Sequence, residues 1–139
     1  WVPYVVVALR PGPELAVPDA VRWAGLALAV AGCAFAAWAA GTLGEHFDVE
    51  IEVHERHAVV RSGPYAIVRH PVYSGLALHF VGACLATGNL ALALGTLLVS
   101  FPALWLRAAT EERLLRRELG AAYDAYAREV PMLVPFPRG

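Results

Sequence analysis

Tyr65, Arg69, His70 and Tyr73 crowd into one stretch, Gly63 to Gly75, which reads Gly-Pro-Tyr-Ala-Ile-Val-Arg-His-Pro-Val-Tyr-Ser-Gly. An apolar run begins directly after it, from Val72. Pro71 suits the first turn of a helix, where its missing N–H would have had no partner. Arg69 and His70 therefore fall at the mouth of that helix, where the first N–H groups favour negative charge. A second pair, Arg107 and Glu111, is spaced by four at the end of a later apolar run and shares a helix face. An Arg clamps a carboxylate bidentately, and a Glu accepts hydrogen bonds from a ribose or an amine. Such groups align two reactants with little acid–base chemistry. A plainer role fits the same residues: Arg and His anchoring a helix at lipid headgroups, and Arg107 with Glu111 as a weak surface ion pair.

The chain must bring these groups together from separate elements. It has 139 residues, one domain's worth, and 58% of them are hydrophobic. Soluble domains run at about 45–50% apolar, so the excess points to an integral membrane protein. The net charge of −1 argues against nucleic acid as a partner. All eleven basic residues are Arg, which reads as nucleotide-composition bias. Cys33 and Cys84 lie in apolar runs, where a buried free thiol is the default.

Residues 1–9 are apolar but too short to span a bilayer. They read as the end of a truncated helix, and a segment preceding Trp1 is expected. Arg10 to Asp19 is rich in proline and reads as a loop, with Asp19 as the N-cap of the first long helix. Three membrane helices are predicted, at about 21–43, 72–87 and 90–109. In the first, Gly25, Ala29, Gly32, Ala36 and Ala40 form a small-residue stripe that permits close helix approach. His79 sits inside the second, where a hydrogen bond within the bundle is its ordinary role. Gly88-Asn89 makes a tight turn. Pro102 predicts a kink in the third. Residues 48–53 alternate like a strand but have no partner strand. His46, His54 and His57 match no metal-ligand spacing, so no metal is expected.

Residues 110–130 predict an amphipathic helix, with Leu114, Leu115, Leu119, Ala122, Tyr123 and Tyr126 at helical spacing and Pro131 ending it. Arginines gather on one side: Arg56, Arg61 and Arg69, then Arg107, Arg113, Arg116, Arg117, Arg128 and Arg138. The opposite side has Arg10 and Arg22. The positive-inside rule puts residues 44–71 and 110–139 in the cytoplasm, so both polar segments meet there. The fold expected is all-α: a single multi-pass membrane helical bundle over residues 1–139. It has about three full spans plus the truncated N-terminal one, and a cytosolic amphipathic C-terminal helix.

The ordered blocks His57-x-Val59-Val60-x-x-Gly63-Pro64-Tyr65, Arg69-His70-Pro71-x-Tyr73-x-Gly75, Glu111-Glu112, Leu119-Gly120-x-x-Tyr123-x-x-Tyr126 and Val130-Pro131-x-x-x-Pro135 resemble the isoprenylcysteine carboxyl methyltransferase family. That family belongs to a wider group of integral-membrane methyltransferases that includes phospholipid N-methyltransferases. The resemblance implies S-adenosyl-L-methionine as cofactor, in a cytosol-facing pocket. It implies cofactor binding by His57, Val59, Val60, Tyr65, His70, Pro71, Tyr73 and Glu111. It places a family Arg that handles the substrate carboxylate on Arg107, which with Glu111 would be the catalytic pair. A family cofactor-contacting glutamine falls on Glu50, a departure. The implied reaction is methyl transfer to a lipophilic acceptor, with membrane lipids around it. A carboxylate such as an isoprenylcysteine-like C-terminus is favoured, being already ionised at neutral pH. An amine acceptor would first have to lose a proton, which Glu111 or Glu112 could assist. Two alternatives stand beside this: a phospholipid amine N-methyltransferase, and an NADPH-dependent sterol-type reductase, a class that shares the Arg-His-Pro-x-Tyr-x-Gly block.

Overall fold

A computed structural model describes residues 13–44 and 59–135. Four helices order the described residues: α1, Asp19–Leu43; α2, Pro71–Thr87; α3, Leu90–Leu119; and α4, Ala121–Glu129. A single 3₁₀ turn, Gly63–Ala66, leads into α2. The described residues contain no β-strand, only one isolated bridge between Glu14 and Asn89. Helices α1 and α3 are long and apolar enough to cross a membrane, while α2 is a shorter apolar helix of 17 residues. The expected truncated helix at 1–9 and the alternating residues 48–53 lie outside the described residues.

The small-residue stripe is what joins α1 to α2. Gly25, Ala29, Gly32 and Ala39 are the buried residues of α1. A Cβ on Gly32 would come within 2.5 Å of the Gly75 carbonyl, and one on Gly75 within 2.6 Å of the Gly32 carbonyl. Gly25 and Gly82 form a second such pair one step along, the Gly25 carbonyl lying 2.5 Å from a Cβ built on Gly82. With no side chains between them, the two backbones touch, and dispersion replaces any hydrophobic drive. Cys33 faces outward, against the expectation of burial. Gly32 takes the contact position against α2, and Cys33, the next residue, is turned about 100° off that seam. Its sulfur lies 3.3 Å from His79 Nδ1, the bonded state expected of that histidine.

Gly88 ends α2 in the left-handed region at φ 64°, which glycine adopts without strain, and its N–H donates to Cys84 O. The Asn89 side chain then caps α3, accepting from Leu92 N at 3.0 Å. Arg22 reaches across to the Thr87 carbonyl at 3.1 Å and secures the far end of the pair.

Three expectations need correction. Asp19 is the first residue of α1, not its cap: Pro18 precedes it, and Asp19 instead places its charge in the positive first turn. Pro102 disturbs α3 as a π turn at Thr96–Ser100, where Phe101 N–H donates to Thr96 O. The wider turn absorbs the carbonyl that the proline ring would strike. The helix expected over 110–130 is two pieces. The good helix formers after Thr110 carry α3 on unbroken to Leu119, and Gly120, at φ 51°, breaks the chain before α4. Leu114 consequently stays exposed, while Tyr123 and Tyr126 are buried.

Candidate functional site

Three segments converge at one end of the bundle: the start of α2, the second half of α3, and α4 with its tail. Pro71 opens α2 as its first residue, with His70 before it outside both helical and extended geometry at φ −122°, ψ 65°. The tail residues 130–135 pair with this entry. Arg69 N–H donates to Pro131 O at 2.9 Å and His70 N–H to Met132 O at 3.1 Å. Ser74 Oγ reaches Leu133 O at 2.6 Å. The helix mouth is thereby closed by backbone, and Arg69 and His70 are only 8% and 6% exposed. That burial contradicts the plainer reading in which they snorkel among headgroups.

Arg69 and Glu112 form the buried centre. Arg69 Nε donates to Glu112 Oε1 at 2.7 Å, and Nη2 contacts the same oxygen. Nη1 donates to the carbonyls of Ala127, at 3.0 Å, and Val130. Arg116 Nη2 meets Glu112 Oε2 at 3.0 Å from the outer side. A buried charge pair of this kind is tolerated because its remaining polar atoms find partners. Glu112 is thus fully committed and is not a free base for an amine substrate.

The neighbouring carboxylate is placed quite differently. Glu111 is half exposed and accepts from Tyr73 Oη at 2.9 Å. Arg107 Nε donates to the same hydroxyl at 3.2 Å. So Arg107 and Glu111, expected to share a helix face, are bridged by Tyr73 of α2. His70 stacks on Tyr73 with ring centroids 5.7 Å apart. His70 Nδ1 lies 3.7 Å from Glu111 Oε2, and Nε2 lies 3.5 Å from Glu112 Oε1. Burial pushes the His70 pKa below its usual value, partly opposed by the charges of Glu111 and Glu112. Tyr65 is pushed up, first by burial and then by Glu111. Its carbonyl accepts from Tyr126 Oη at 2.6 Å, which ties the 3₁₀ turn to α4.

The structure therefore brings together Tyr65, His70, Tyr73, Arg107 and Glu111, with Pro71 fully buried beneath them. Val59 and Val60 are half buried in the segment leading to the 3₁₀ turn and take no part in these hydrogen bonds. His57 and Glu50 lie outside the described residues. No group of three or more His, Cys, Asp or Glu suited to a metal occurs among the described residues. Ser74 was missed as part of the site, while Glu112 and the tail, named in the family blocks and Glu112 also as a possible base, turn out to close the helix mouth and hold Arg69.

This donor set suits an adenosyl ligand. An accessible carboxylate answers ribose hydroxyls or an ammonium, and stacked rings present a π face to a sulfonium. The Arg107 guanidinium, bonded through Nε to Tyr73, is otherwise exposed.

Comparison with known proteins gives the family. The family profile described as Phospholipid methyltransferase matches residues 20–122. A probable protein-S-isoprenylcysteine O-methyltransferase of Oryza sativa is 31% identical over 126 residues, covering 89% of this chain and 66% of that relative. The chain thus spans just under two-thirds of the relative's length. Methanethiol S-methyltransferase 2 of Bradyrhizobium diazoefficiens is 43% identical over 72 residues, 51% of this chain and 26% of the relative. The solved structure of the eukaryotic intramembrane Ras methyltransferase, isoprenylcysteine carboxyl methyltransferase, superposes with a TM-score of 0.75 at 28% identity, covering 85% of this chain and 43% of that one. The chain belongs to the phospholipid methyltransferase family, and its similarities there run to the isoprenylcysteine carboxyl methyltransferases.

Proposed function

We propose that this chain is a single multi-pass membrane domain that catalyses S-adenosyl-L-methionine-dependent methyl transfer to a lipophilic carboxylate, such as an isoprenylcysteine-like C-terminus, at the cytoplasmic face. The observation that carries the reading is the Arg107–Tyr73–Glu111 bridge, which sets an exposed guanidinium beside an accessible carboxylate. Glu111, Tyr65, His70 and Tyr73 hold the cofactor over Pro71, with His57, Val59 and Val60 completing its pocket. When bound, the cofactor supplies an electrophilic methyl carbon. Arg107 orients the acceptor carboxylate, which is ionised at neutral pH and needs no base. A shallow, open apolar groove of about 190 Å³ lies between α2 and α3, lined by Val81, Leu85, Leu97 and Phe101 among others, in the half of α2 away from Pro71.

The names of the relatives favour transfer over reduction by NADPH. The methanethiol S-methyltransferase likeness favours a second reading, a small lipophilic thiol as acceptor. A small alkanethiol is a weaker acid than the cysteine side chain, whose reference pKa is about 8.5, and must lose a proton, so its methylation would rise with pH above neutrality. Carboxylate methylation would stay flat there.

Calorimetric titration of the detergent-solubilised protein tests the proposal. S-adenosylmethionine and S-adenosylhomocysteine should bind, NADPH should not, and His70→Ala or Glu111→Ala should abolish binding. NADPH binding alone would overturn it.

A further inference from the structure

We propose that Glu112 is a positioning residue: from its buried place on α3 it holds the His70 ring so that the ring's other edge faces Glu111 and the ligand. For its ligand the inference rests on the proposed adenosyl site; for the rest it rests on the cluster's geometry. Two carboxylates adjacent in sequence leave a helix about 100° apart, and here they fall on opposite edges of one imidazole. Nδ1 is 3.7 Å from the half-exposed Glu111, and Nε2 is 3.5 Å from Glu112, which is 5% exposed.

Glu112 has no freedom to move. Arg69 holds one oxygen and is itself fixed by the Ala127 and Val130 carbonyls. Arg116 holds the other and is fixed in turn by Asp124 at 3.4 Å. The charged and titratable groups around His70 are Glu111 and Glu112 of α3, Arg69 beside it in the chain and Tyr73 of α2, with Tyr123 of α4 against the Arg69–Glu112 pair. Stacking on Tyr73 fixes the ring plane, and the Glu112 charge, 3.5 Å from a buried Nε2 that makes no hydrogen bond, draws that edge inward by electrostatic contact. Its charge also raises the proton affinity that burial lowers, so Glu112 helps set the charge the ring presents.

The test uses the full chain in detergent with isotope-labelled histidine. The His70 signal is assigned by its loss in His70→Gln, and the dissociation constant for S-adenosylhomocysteine is read by calorimetry. Glu112→Gln should move the His70 titration to lower pH and weaken binding about tenfold or more, the scale of lost outer-shell partners. Glu129→Gln, at the exposed partner of Arg61, should do neither. In a His70→Gln background the Glu112→Gln penalty should vanish, which a general loss of packing would not produce. Should Glu112→Gln fail to fold, Glu112→Asp keeps the charge, withdraws it from Nε2, and should shift both readouts in the same direction. An unmoved His70 titration in either folded variant overturns the proposal. A wild type that binds no adenosyl ligand overturns the methyltransferase reading alone, and the His70 titration still decides the role of Glu112.

Discussion

Tyr73 of α2 donates to Glu111 of α3 at 2.9 Å, and on the exposed side of the site this bond joins two polar blocks that the sequence keeps far apart. Tyr73→Phe should therefore loosen the site without unfolding it. A neutral hydrogen bond contributes about 1 kcal/mol, and one to a charged group about 1.5–3, but this bond is partly exposed and belongs at the low end. Thermal unfolding should move by a few degrees, while S-adenosylhomocysteine binding should weaken several-fold in calorimetry.

Arg107 is exposed and makes its bond only to Tyr73 on the ligand side. Arg107→Ala should lower acceptor methylation strongly and leave cofactor binding nearly intact. A radiometric methyl-transfer assay run beside calorimetry checks this. Equal loss in both would show that Arg107 holds the cofactor instead.

Close backbone contact makes the α1–α2 seam intolerant of a methyl group. Gly32→Ala or Gly82→Ala forces the helices apart at carbonyl and amide atoms that cannot yield. Overpacking of this kind costs about 1–3 kcal/mol, sometimes more. Gly41→Ala has open space on all sides and should be neutral or slightly stabilising. Thermal denaturation of the three variants in one detergent gives the comparison.

Acid and alkali should act through different groups. The His70 pKa is lowered in the folded state, so below about 6.5 the unfolded chain binds the extra proton first. Stability should fall as pH drops from there toward the folded pKa, and His70→Gln should flatten that limb. Tyr123 and Tyr126 are pushed up to about 12, mainly by burial. Between about 10 and 12 the unfolded chain loses protons that the folded chain keeps, so stability should fall as pH rises through that window. Tyr126→Phe should shallow the fall, at the expense of the bond to the Tyr65 carbonyl. Denaturant midpoints across pH measure both limbs.

Much of this was legible because apolar length and punctuation are local signals. Pro71, Gly88 and Asn89 mark the ends of α2 and the start of α3 in one dimension. The stripe from Gly25 to Ala36 pointed to a close helix contact, though not to Gly75 and Gly82 as its other half. The break at Gly120 was hidden because Leu119 and Tyr123 keep helical spacing across it. Glu112 was hidden for a deeper reason. Next to Glu111 it has the same chemistry, and only the arrival of Arg69 from another element distinguishes the two. Which of two identical neighbours is buried is a tertiary fact.

The π turn at Thr96–Ser100 has a consequence far from itself. Each such turn accommodates one residue more than an α turn, which advances everything beyond it by roughly 100° about the helix axis. Arg107 and Glu111 are on the downstream side, so their bearing toward Tyr73 is dialled in within the apolar half of α3. Straightening this turn into α geometry at unchanged length would swing the guanidinium and carboxylate off their azimuth without altering any side chain that touches a ligand, whereas removing the one extra residue would let the helix close as α with both groups still on it. The widened turn behaves as a phase shifter, and the aim of the site depends on the turn that stores the extra residue.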